Sequence, residues 1–345
     1  MMASLIVHQP GLYTTVQDAG RYGHQRFGVP LAGALDLESF WLANALVGNP
    51  WNDAALEVRM LGPVLEVCAD AVRLALTGTK CPLKIARAGR EEQVPAYQGI
   101  TVERSAMVTV PPLTDSANAY LAVSGGLAVP PILGSASTLT RAGFGGIDGR
   151  ALASGDVLHL HDDCDPDGPD LQLRDDVLAL NGRIRVVLGP QLDYFTSASI
   201  DTFLQADWEI SNDADRMGIR LVGPQLEHTR GFNIASDGIA TGSIQVPGSG
   251  QPIILLADRQ TTGGYPKIAT VISTDLPLLG RARPGERLRF ESVSADRAIE
   301  LRRERWARLR HNVARATPVL AERAINMDAL QGENLVSGVW SSGDD

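Results

Sequence analysis

The densest group of reactive side chains lies in the segment 258–267, between the apolar runs 253–257 and 268–273. This pattern predicts a loop that joins two core strands. The pair Gly263-Gly264 lets backbone N–H groups approach a ligand closely, and successive amides can bind an anion. The loop also carries a carboxylate, two cations, two hydroxyls, an amide and a phenol, from Asp258, Arg259, Lys267, Thr261, Thr262, Gln260 and Tyr265. It is a candidate binding or catalytic site, although a solvated turn at 263–266 has the same composition.

Lysine is rare in this chain, which makes Lys267 informative. Of the 31 basic residues, three are Lys (Lys80, Lys84 and Lys267) and the remaining 28 are Arg. Lys differs from Arg in presenting a compact amine that titrates readily when it is buried. A Lys in the most polar loop of an Arg-rich chain therefore indicates a chemical requirement, and Lys267 is the first residue to mutate.

Two further polar segments could contribute groups to a site. The segment 14–23 contains Gln17, Asp18 and Arg21, of which the last two can form an ion pair. The segment 211–218 contains Asp215 and Arg216. Taken alone, each segment is equally compatible with a structural turn.

Familiar catalytic motifs do not occur in the sequence. It has no phosphate-binding P-loop, no nucleophile elbow, no zinc-protease motif and no dinucleotide-binding turn. His159 and His161 would point to one face of a strand, just before Asp162, Asp163 and Cys164. Their place at a domain edge favours a solvated strand end over a metal site, and we predict no metal.

The elements that must position these residues are mostly strands. Short runs rich in Val, Ile and Leu are separated by scattered turn residues, with 35 Gly and 20 Pro in all, so the chain is predicted to be mainly β. Three segments are predicted as helices: 37–47, capped by Asp36 and ended by Gly48, 197–205, and 295–315. The last has an apolar stripe that Arg302 interrupts, and it either packs on the preceding domain or docks a partner subunit.

Length and charge restrict the function. A chain of 345 residues suggests two domains, and an Asp, Gly and Pro-rich stretch at 162–170 is the predicted linker. We predict domains at 1–165 and 175–292, followed by a helix and tail at 293–345. The net charge of −9 argues against nucleic-acid and anionic-membrane binding. Three cysteines without close spacing, and no signal-like or membrane-spanning run, predict a cytoplasmic protein.

With these motifs the sequence resembles the KipA-type proteins, also described as allophanate hydrolase subunit 2-like or biotin-dependent carboxyltransferase proteins. The segments that carry the resemblance are 14–21, 28–30, 33–36, 43–49, 55–57, 124–126, 141–146, 149–152, 215–218, 242–247, 250–252, 258–269 and 334–339. The resemblance implies two cyclophilin-like β-barrel domains, in agreement with the strand-rich pattern, followed here by the C-terminal helix.

The resemblance implies three possible functions. Standalone family members of this length include a subunit of an ATP-dependent 5-oxoprolinase, which uses ATP to activate the lactam for cleavage to glutamate. This is the first expectation, with ATP as co-substrate, Mg²⁺ possible with it, and two partner subunits, one KipI-like (PxpB-like) and one LamB/YcsF-like (PxpA-like). The alternatives are a carboxyltransferase component that moves a carboxyl group from carboxybiotin to urea or a related amide, and a non-catalytic regulatory protein that binds KipI. Biotin belongs only to the carboxyltransferase alternative.

For the site, we assign Asp258, Lys267 and Arg259 to catalysis. The predicted substrate- and nucleotide-binding residues are Thr261, Thr262, Gly263, Gly264, Tyr265, Gln260, Gln245, Gln17, Asp18, Arg21, Asp215 and Arg216. Asp258 would orient the lactam N–H or transfer a proton, and Lys267 and Arg259 would balance charge. The sequence departs from the family pattern at Ala32, Ala136 and 127–128, which leaves the substrate open.

Overall fold

The computed structural model describes residues 3–161, 168–173 and 183–319. Its strands are β1 (Ser4–Gln9), β2 (Tyr13–Gln17), β3 (Ala55–Arg59), β4 (Val64–Val67), β5 (Ala71–Thr77), β6 (Leu83–Arg87), β7 (Arg90–Val94), β8 (Gly99–Glu103), β9 (Met107–Thr109), β10 (Asn118–Val123), β11 (Val157–His159), β12 (Leu171–Gln172), β13 (Arg183–Leu188), β14 (Trp208–Ala214), β15 (Gly218–Val222), β16 (Asp237–Gly238), β17 (Ser243–Gln245), β18 (Ile253–Leu255), β19 (Thr262–Gly263), β20 (Lys267–Val271), β21 (Arg287–Ser292) and β22 (Thr317–Pro318). Its α-helices are α1 (Leu37–Val47), α2 (Ser197–Gln205), α3 (Leu276–Arg281) and α4 (Ala295–Ala314). The prediction of a mainly β chain is confirmed.

The N-terminal half forms two antiparallel sheets around one core. One sheet has the order β11-β1-β4-β9-β6-β7, and the other has the order β2-β3-β10-β5-β8. Leu5, Leu65 and Ile85 from the first sheet pack against Leu56 and Leu121 from the second, all at most 1% exposed. α1 covers the outer face of the second sheet, where it packs on β5 and β10.

The C-terminal half closes into a barrel, as the resemblance implies. Its seven strands follow the order β13-β20-β17-β18-β15-β14-β21, and the parallel pair β13–β21 completes the circle. Closure leaves no free edge and encloses an apolar interior that includes Ile244 and Ile254. α2 covers the barrel through Phe203, whose ring stacks on that of Phe290 at 4.4 Å. The likeness to cyclophilin itself stays a prediction.

The helices that the sequence predicts begin and end close to the expected residues. α1 has the predicted bounds: the Asp36 carboxylate accepts a hydrogen bond from Ser39 N at 3.0 Å, and Gly48 ends the helix with φ 83°. Thr196 caps α2, and α4 ends one residue before the predicted limit. The short helix α3, which begins beside Pro277, is not predicted from the sequence.

The end of the predicted linker is fixed to the N-terminal half rather than solvated. Asp170 accepts hydrogen bonds from Arg73 Nε at 2.9 Å and from the Thr101 hydroxyl at 2.8 Å. β12 then pairs with β22, which follows α4. The predicted boundary at 165, most of the linker and the tail beyond 319 lie outside the described residues, so the domain limits stay a prediction.

Buried ion pairs join the two halves. Arg216 of the barrel lies between Asp258 of the barrel and Glu57 of β3, and all three side chains are at most 6% exposed. The Arg216 guanidinium donates two hydrogen bonds of 2.9 Å to Asp258, one to Glu57 and one of 2.7 Å to the Gly33 carbonyl. A second pair joins Arg281 Nε to Asp36 at 3.1 Å.

α4 packs back on α1 through an aromatic cluster. The rings of Trp41 and Trp306 lie 4.4 Å apart, and Trp51 lies 6.1 Å from each. Beside them, Arg305 donates to the buried Glu38 carboxylate, with Nε to Oε1 at 2.6 Å. The helix therefore packs on its own chain, but against α1 of the N-terminal half rather than on the domain that precedes it. In the described part of the chain, no helix is both long and apolar enough to cross a membrane.

We expect Arg216→Met to lower the free energy of unfolding by about 3–5 kcal/mol, because the variant leaves two buried carboxylates without their cation. The matched control is Arg220→Met on β15, where the side chain is exposed and the expected change is within about 0.5 kcal/mol. Denaturant unfolding measures both variants. Equal stability of the two would contradict the role of Arg216.

We also expect the stability difference between Arg216→Met and Arg220→Met to depend on pH. Burial raises the pKa of Asp258, and Arg216 opposes that rise. In Arg216→Met the opposition is gone, so the folded state binds a proton more tightly than the unfolded state does, and stability increases as pH falls. The difference in the free energy of unfolding between Arg220→Met and the less stable Arg216→Met should therefore become smaller between about pH 7 and pH 5. A difference that grows in this interval would refute the explanation.

We expect Trp306→Ala to destabilise the protein by about 2 kcal/mol, less than a fully buried Trp would, because the side chain is half-buried. Arg308→Ala, on the exposed face of the same helix, should have little effect. Thermal unfolding of the two variants provides the comparison, and indistinguishable melting temperatures would show that the aromatic cluster does not stabilise the fold.

Candidate functional site

Lys267 lies at the start of β20 and is buried with one exposed partner. Its side chain is 4% exposed, and its ammonium donates to Asp237 Oδ2 at 2.6 Å and to the Gly238 carbonyl at 3.3 Å. The hydrogen bond from Lys267 is the main cause that lowers the pKa of Asp237. An ammonium group has three N–H donors, and within the described residues two have acceptors. The third can bind an anionic oxygen of a ligand.

Amide side chains surround this lysine. Gln191 accepts a hydrogen bond from Lys267 N at 3.0 Å, and its own amide donates to Asp237 at 3.4 Å. Gln245 of β17 is 2% exposed. Its Nε2 donates to the Tyr265 carbonyl at 3.4 Å, and its Oε1 accepts from Gln260 Nε2 at 3.4 Å. We name Gln191, Asp237, Gln245, Gln260, Gly263 and Lys267 the barrel-loop cluster. These groups can bind a polar ligand by directed hydrogen bonds and one positive charge.

Position 263 requires glycine because neighbouring side chains lie too close for a Cβ, and not because its backbone has a positive φ. A Cβ at this position would lie 2.6 Å from Gln245 Nε2 and 2.7 Å from Ile239 Cδ1. The residue belongs to β19, which pairs with β16, so that Gly263 faces Asp237. Neither Gly263 nor Gly264 has a positive φ. Successive amides form an anion-binding concavity when right-handed and left-handed residues follow each other, and Gly263 and Gly264 do not have this conformation.

The rest of the predicted loop lies around the cluster. The Thr261 and Gly264 carbonyls accept hydrogen bonds from Ile239 N at 3.0 Å and Ile234 N at 2.8 Å. Thr262 is exposed, and Tyr265 is 40% exposed beside Gly264. These contacts hold the segment 234–239 against the loop, which explains how Asp237 reaches Lys267.

Arg259 is buried and supports the segment 234–239 by hydrogen bonds. It is 1% exposed, and its guanidinium donates to the Ile239 carbonyl at 3.0 and 3.1 Å and to the Leu256 carbonyl at 3.3 Å. Burial lowers the pKa of Arg259 to about 10. Contrary to the sequence-based assignment, the geometry points to a positioning role: Arg259 holds the strand end that leads to Asp237.

Asp258 also differs from its expected role. Both carboxylate oxygens accept hydrogen bonds from Arg216, at 2.9 Å each, and the side chain is buried at the contact between the two halves. A carboxylate held in this way is poorly placed to transfer a proton to a ligand. Within the described residues, the charged groups of Asp258, Arg259 and Lys267 form no hydrogen bond or ion pair with one another. The expected catalytic trio therefore does not converge.

The segment 14–23 forms a separate polar centre. Asp18 accepts hydrogen bonds from the Ser135 hydroxyl at 2.7 Å, the Ala136 amide at 2.7 Å and Gly20 N at 2.8 Å. Arg21 instead donates to the carbonyls of residues 132, 135 and 137. Asp18 and Arg21 therefore do not form the predicted ion pair, and both hold the segment 132–137.

Gln17 and Asp215 occupy structural positions. Gln17 Nε2 donates to Thr15 at 3.0 Å and to the Thr138 carbonyl at 3.2 Å, while its buried Oε1 has no partner among the described residues. Asp215 is exposed, and its carboxylate accepts from Met217 N at 2.8 Å and Gly218 N at 3.1 Å, which closes the turn before β15. Neither residue contacts the barrel-loop cluster through a described hydrogen bond.

A cavity lies where the two halves and α4 meet. This junction cavity has a volume of about 310 Å³. It is lined by Ala19, Tyr22, Leu31, Ala32, Ala34, Leu35, Leu37, Glu38, Trp41, Thr241, Leu256, Ala257, Ser273, Thr274, Leu276, Pro277, Arg302, Arg305, Trp306 and Leu309. Of the family departures, Ala32 lines the cavity, whereas Ala136 contacts Asp18 through its backbone and Leu127 pairs with Leu160 at a strand end.

Sequence reasoning missed several partners in these sites. The sequence does contain a signal for the buried role of Glu57, because this residue lies in the apolar strand β3, where a charged side chain must be paired. Tyr120, whose hydroxyl donates to Glu57 at 2.7 Å, sits in an equally apolar strand. Asp237 lies in the two-residue strand β16 and Gln191 in a bend after β13, and neither segment has a periodic pattern, so no local signal distinguishes them. In the described part of the chain, no three His, Cys, Asp or Glu residues are placed to hold a metal ion.

Comparison with known proteins gives the family. Residues 27–292 match the family described as "Carboxyltransferase domain, subdomain A and B". The chain is 37% identical over 308 residues to the 5-oxoprolinase C subunit of Escherichia coli, covering 87% of this chain and 94% of that protein. It is also 37% identical over 294 residues to the 5-oxoprolinase C subunit of Haemophilus influenzae, covering 84% and 91%.

A solved structure agrees with this result. The crystal structure of the Kluyveromyces lactis urea carboxylase superposes with a TM-score of 0.82 at 30% identity. The match covers 89% of this chain but 29% of that protein, so the fold recurs there within a much longer chain. The resemblance drawn from the sequence motifs is confirmed, and the chain belongs to the carboxyltransferase-domain family.

Proposed function

We propose that this protein is a subunit of an ATP-dependent 5-oxoprolinase, in which it helps to activate the lactam for hydrolysis to glutamate. One observation carries the proposal: the similarity to two bacterial 5-oxoprolinase C subunits extends over nearly their whole length, at 37% identity.

The chemistry requires a better leaving group than a lactam offers, because amide resonance opposes attack by water. In the proposed route, the γ-phosphoryl group of ATP moves to the lactam oxygen, so a P–O bond to ADP breaks and a P–O bond to the lactam forms. Water then adds to the activated carbon, and the ring C–N bond opens with a proton passing to nitrogen, which leaves an acyl phosphate. A second water hydrolyses this acyl phosphate to glutamate and phosphate. Most of the catalysis is positioning and charge stabilisation.

The barrel-loop cluster is suited to this positioning. Lys267 offers its remaining N–H to a carboxylate or phosphoryl oxygen, and burial strengthens that interaction. Gln245 and Gln260 can hydrogen-bond both N–H and C=O groups of a lactam. Asp237 keeps the Lys267 ammonium in place and is itself exposed, so a ligand can reach the pair. Among the described residues the site has no carboxylate cluster for Mg²⁺, which would enter with the phosphates of ATP.

The proposal includes partners and a compartment. We assign the ATP-dependent activation to this chain together with a KipI-like subunit, and the completion of hydrolysis to a LamB/YcsF-like subunit, all in the cytoplasm. The ATP site can be shared with a partner, since the cluster supplies one cation and few of the donors that a nucleotide needs.

A second function has its own support. The family description and the urea carboxylase likeness favour a carboxyltransferase component that moves a carboxyl group from carboxybiotin to urea or a related amide. Lys267 and the two glutamines would bind carboxylate and amide groups in that reaction as well. The two functions therefore differ in which substrate stimulates the assembled complex. The regulatory, KipI-binding alternative stays a prediction.

We expect the complex reconstituted with both partner subunits to hydrolyse ATP faster when 5-oxoproline is present, with equimolar ADP and glutamate formed. Urea at the same concentration should not stimulate. Coupled ADP release and glutamate analysis measure the two products. Stimulation by urea together with carboxybiotin, and none by 5-oxoproline, would replace the first function by the second.

In the same assay we expect Lys267→Ala to lower kcat/KM by about 100- to 1,000-fold, the range seen when one charge-stabilising donor is removed. The matched control is Lys84→Ala on β6, a partly exposed lysine paired with Glu91 at 3.4 Å, which should keep full activity. Asp237→Asn should fall between the two, because Lys267 loses its charged partner but keeps a hydrogen-bond acceptor. Full activity of folded Lys267→Ala would refute the site assignment.

A further inference from the structure

The junction cavity is separate from the barrel-loop cluster, and its chemistry is different. None of the residues of the barrel-loop cluster lines it. Its volume of about 310 Å³ lies at the low end of the range for small-molecule pockets, about 300–1,000 Å³. It therefore has room for one small molecule, but not for a folded peptide.

The cavity has an apolar interior and a polar opening. Leu256, Ala257 and Leu309 are at most 6% exposed and form its inner part, with the Trp41 and Trp306 rings beside them. Tyr22 and Arg302 also line it but are exposed, so they mark the opening. A ligand that fits both ends has an apolar body and a polar head.

The charges on the lining do not balance. Glu38 is paired with Arg305, and together they are neutral. Arg302 adds a second guanidinium, and within the described residues it makes neither an ion pair nor a hydrogen bond. It stands on the stripe of α4 that otherwise carries Ile299, Trp306 and Leu309, where an apolar residue would pack better. One positive charge therefore remains at the opening.

We infer that the junction cavity binds a small monocarboxylate with an apolar, preferably aromatic, body. The carboxylate pairs with Arg302 at the opening, and the body lies against the Trp41 and Trp306 rings. A guanidinium binds a carboxylate through two parallel hydrogen bonds, which favours this group over a neutral one. An occupied cavity contacts α1, α4 and the barrel at once, so the ligand ties the two halves and the helix together.

The experiment uses the full chain without partner subunits, so its outcome does not depend on the proposed activity. Fluorine NMR follows para-fluorophenylpropionate and its primary amide, which have the same shape and differ in charge. We expect the acid to bind with a Kd below about 1 mM and the amide at least tenfold more weakly. 5-Oxoproline, a carboxylate with a polar ring, should not displace the acid at equal concentration.

Two variants on the same helix test Arg302. Arg302→Gln should weaken binding of the acid at least tenfold and remove its advantage over the amide. Arg303→Gln, an exposed neighbour that does not line the cavity, should bind the acid within about twofold of the unchanged chain. The inference is overturned if acid and amide bind equally, if the two variants behave alike, if 5-oxoproline competes equally, or if the acid does not bind.

Discussion

The guanidinium of Arg216 is the group on which the relation between the two halves depends. It is buried, and it binds carboxylates from both: Asp258 in the barrel and Glu57 in β3. Burial alone would lower the pKa of Arg216, but the two carboxylates reverse this and raise it, so the cation is permanent. Since each charge is costly to bury alone, one relative placement of the halves satisfies all three. The contact with the Gly33 carbonyl fixes the loop before α1 in the same step.

One short segment connects this contact with both candidate sites. Ala257 lines the junction cavity, Asp258 binds Arg216, Arg259 holds the Ile239 carbonyl, and Lys267 carries the free donor of the barrel-loop cluster. Residues that the sequence groups in one candidate catalytic loop therefore divide into structural contacts, made by Asp258 and Arg259, and the proposed binding group, Lys267. The division is physically reasonable, because a site needs rigid neighbours to hold its reactive group.

The chemistry of the proposed site is compatible with more than one of the reactions for which the relatives are named. A buried ammonium and two amides recognise anionic oxygens and amide groups, and these occur in a lactam with a phosphate as well as in urea with a carboxylate. The chain resembles both 5-oxoprolinase C subunits and a region of urea carboxylase. Under the proposed function, the partners and the second substrate distinguish these reactions, rather than the barrel itself.

The sequence by itself determined the local elements and the family. Asp36 and Gly48 define α1 and the apolar stripe defines α4, because caps and stripes depend on residues a few positions apart. The scarcity of lysine in the chain singled out Lys267. The tertiary structure decided the partners: Lys267 meets Asp237 across 30 residues, and Arg216 meets Glu57 across 159. No local pattern encodes such pairs, since they arise only when the barrel closes and the halves pack. For that reason Asp258 and Arg259, correctly placed in a loop, could not be separated from the chemistry until their buried partners were known.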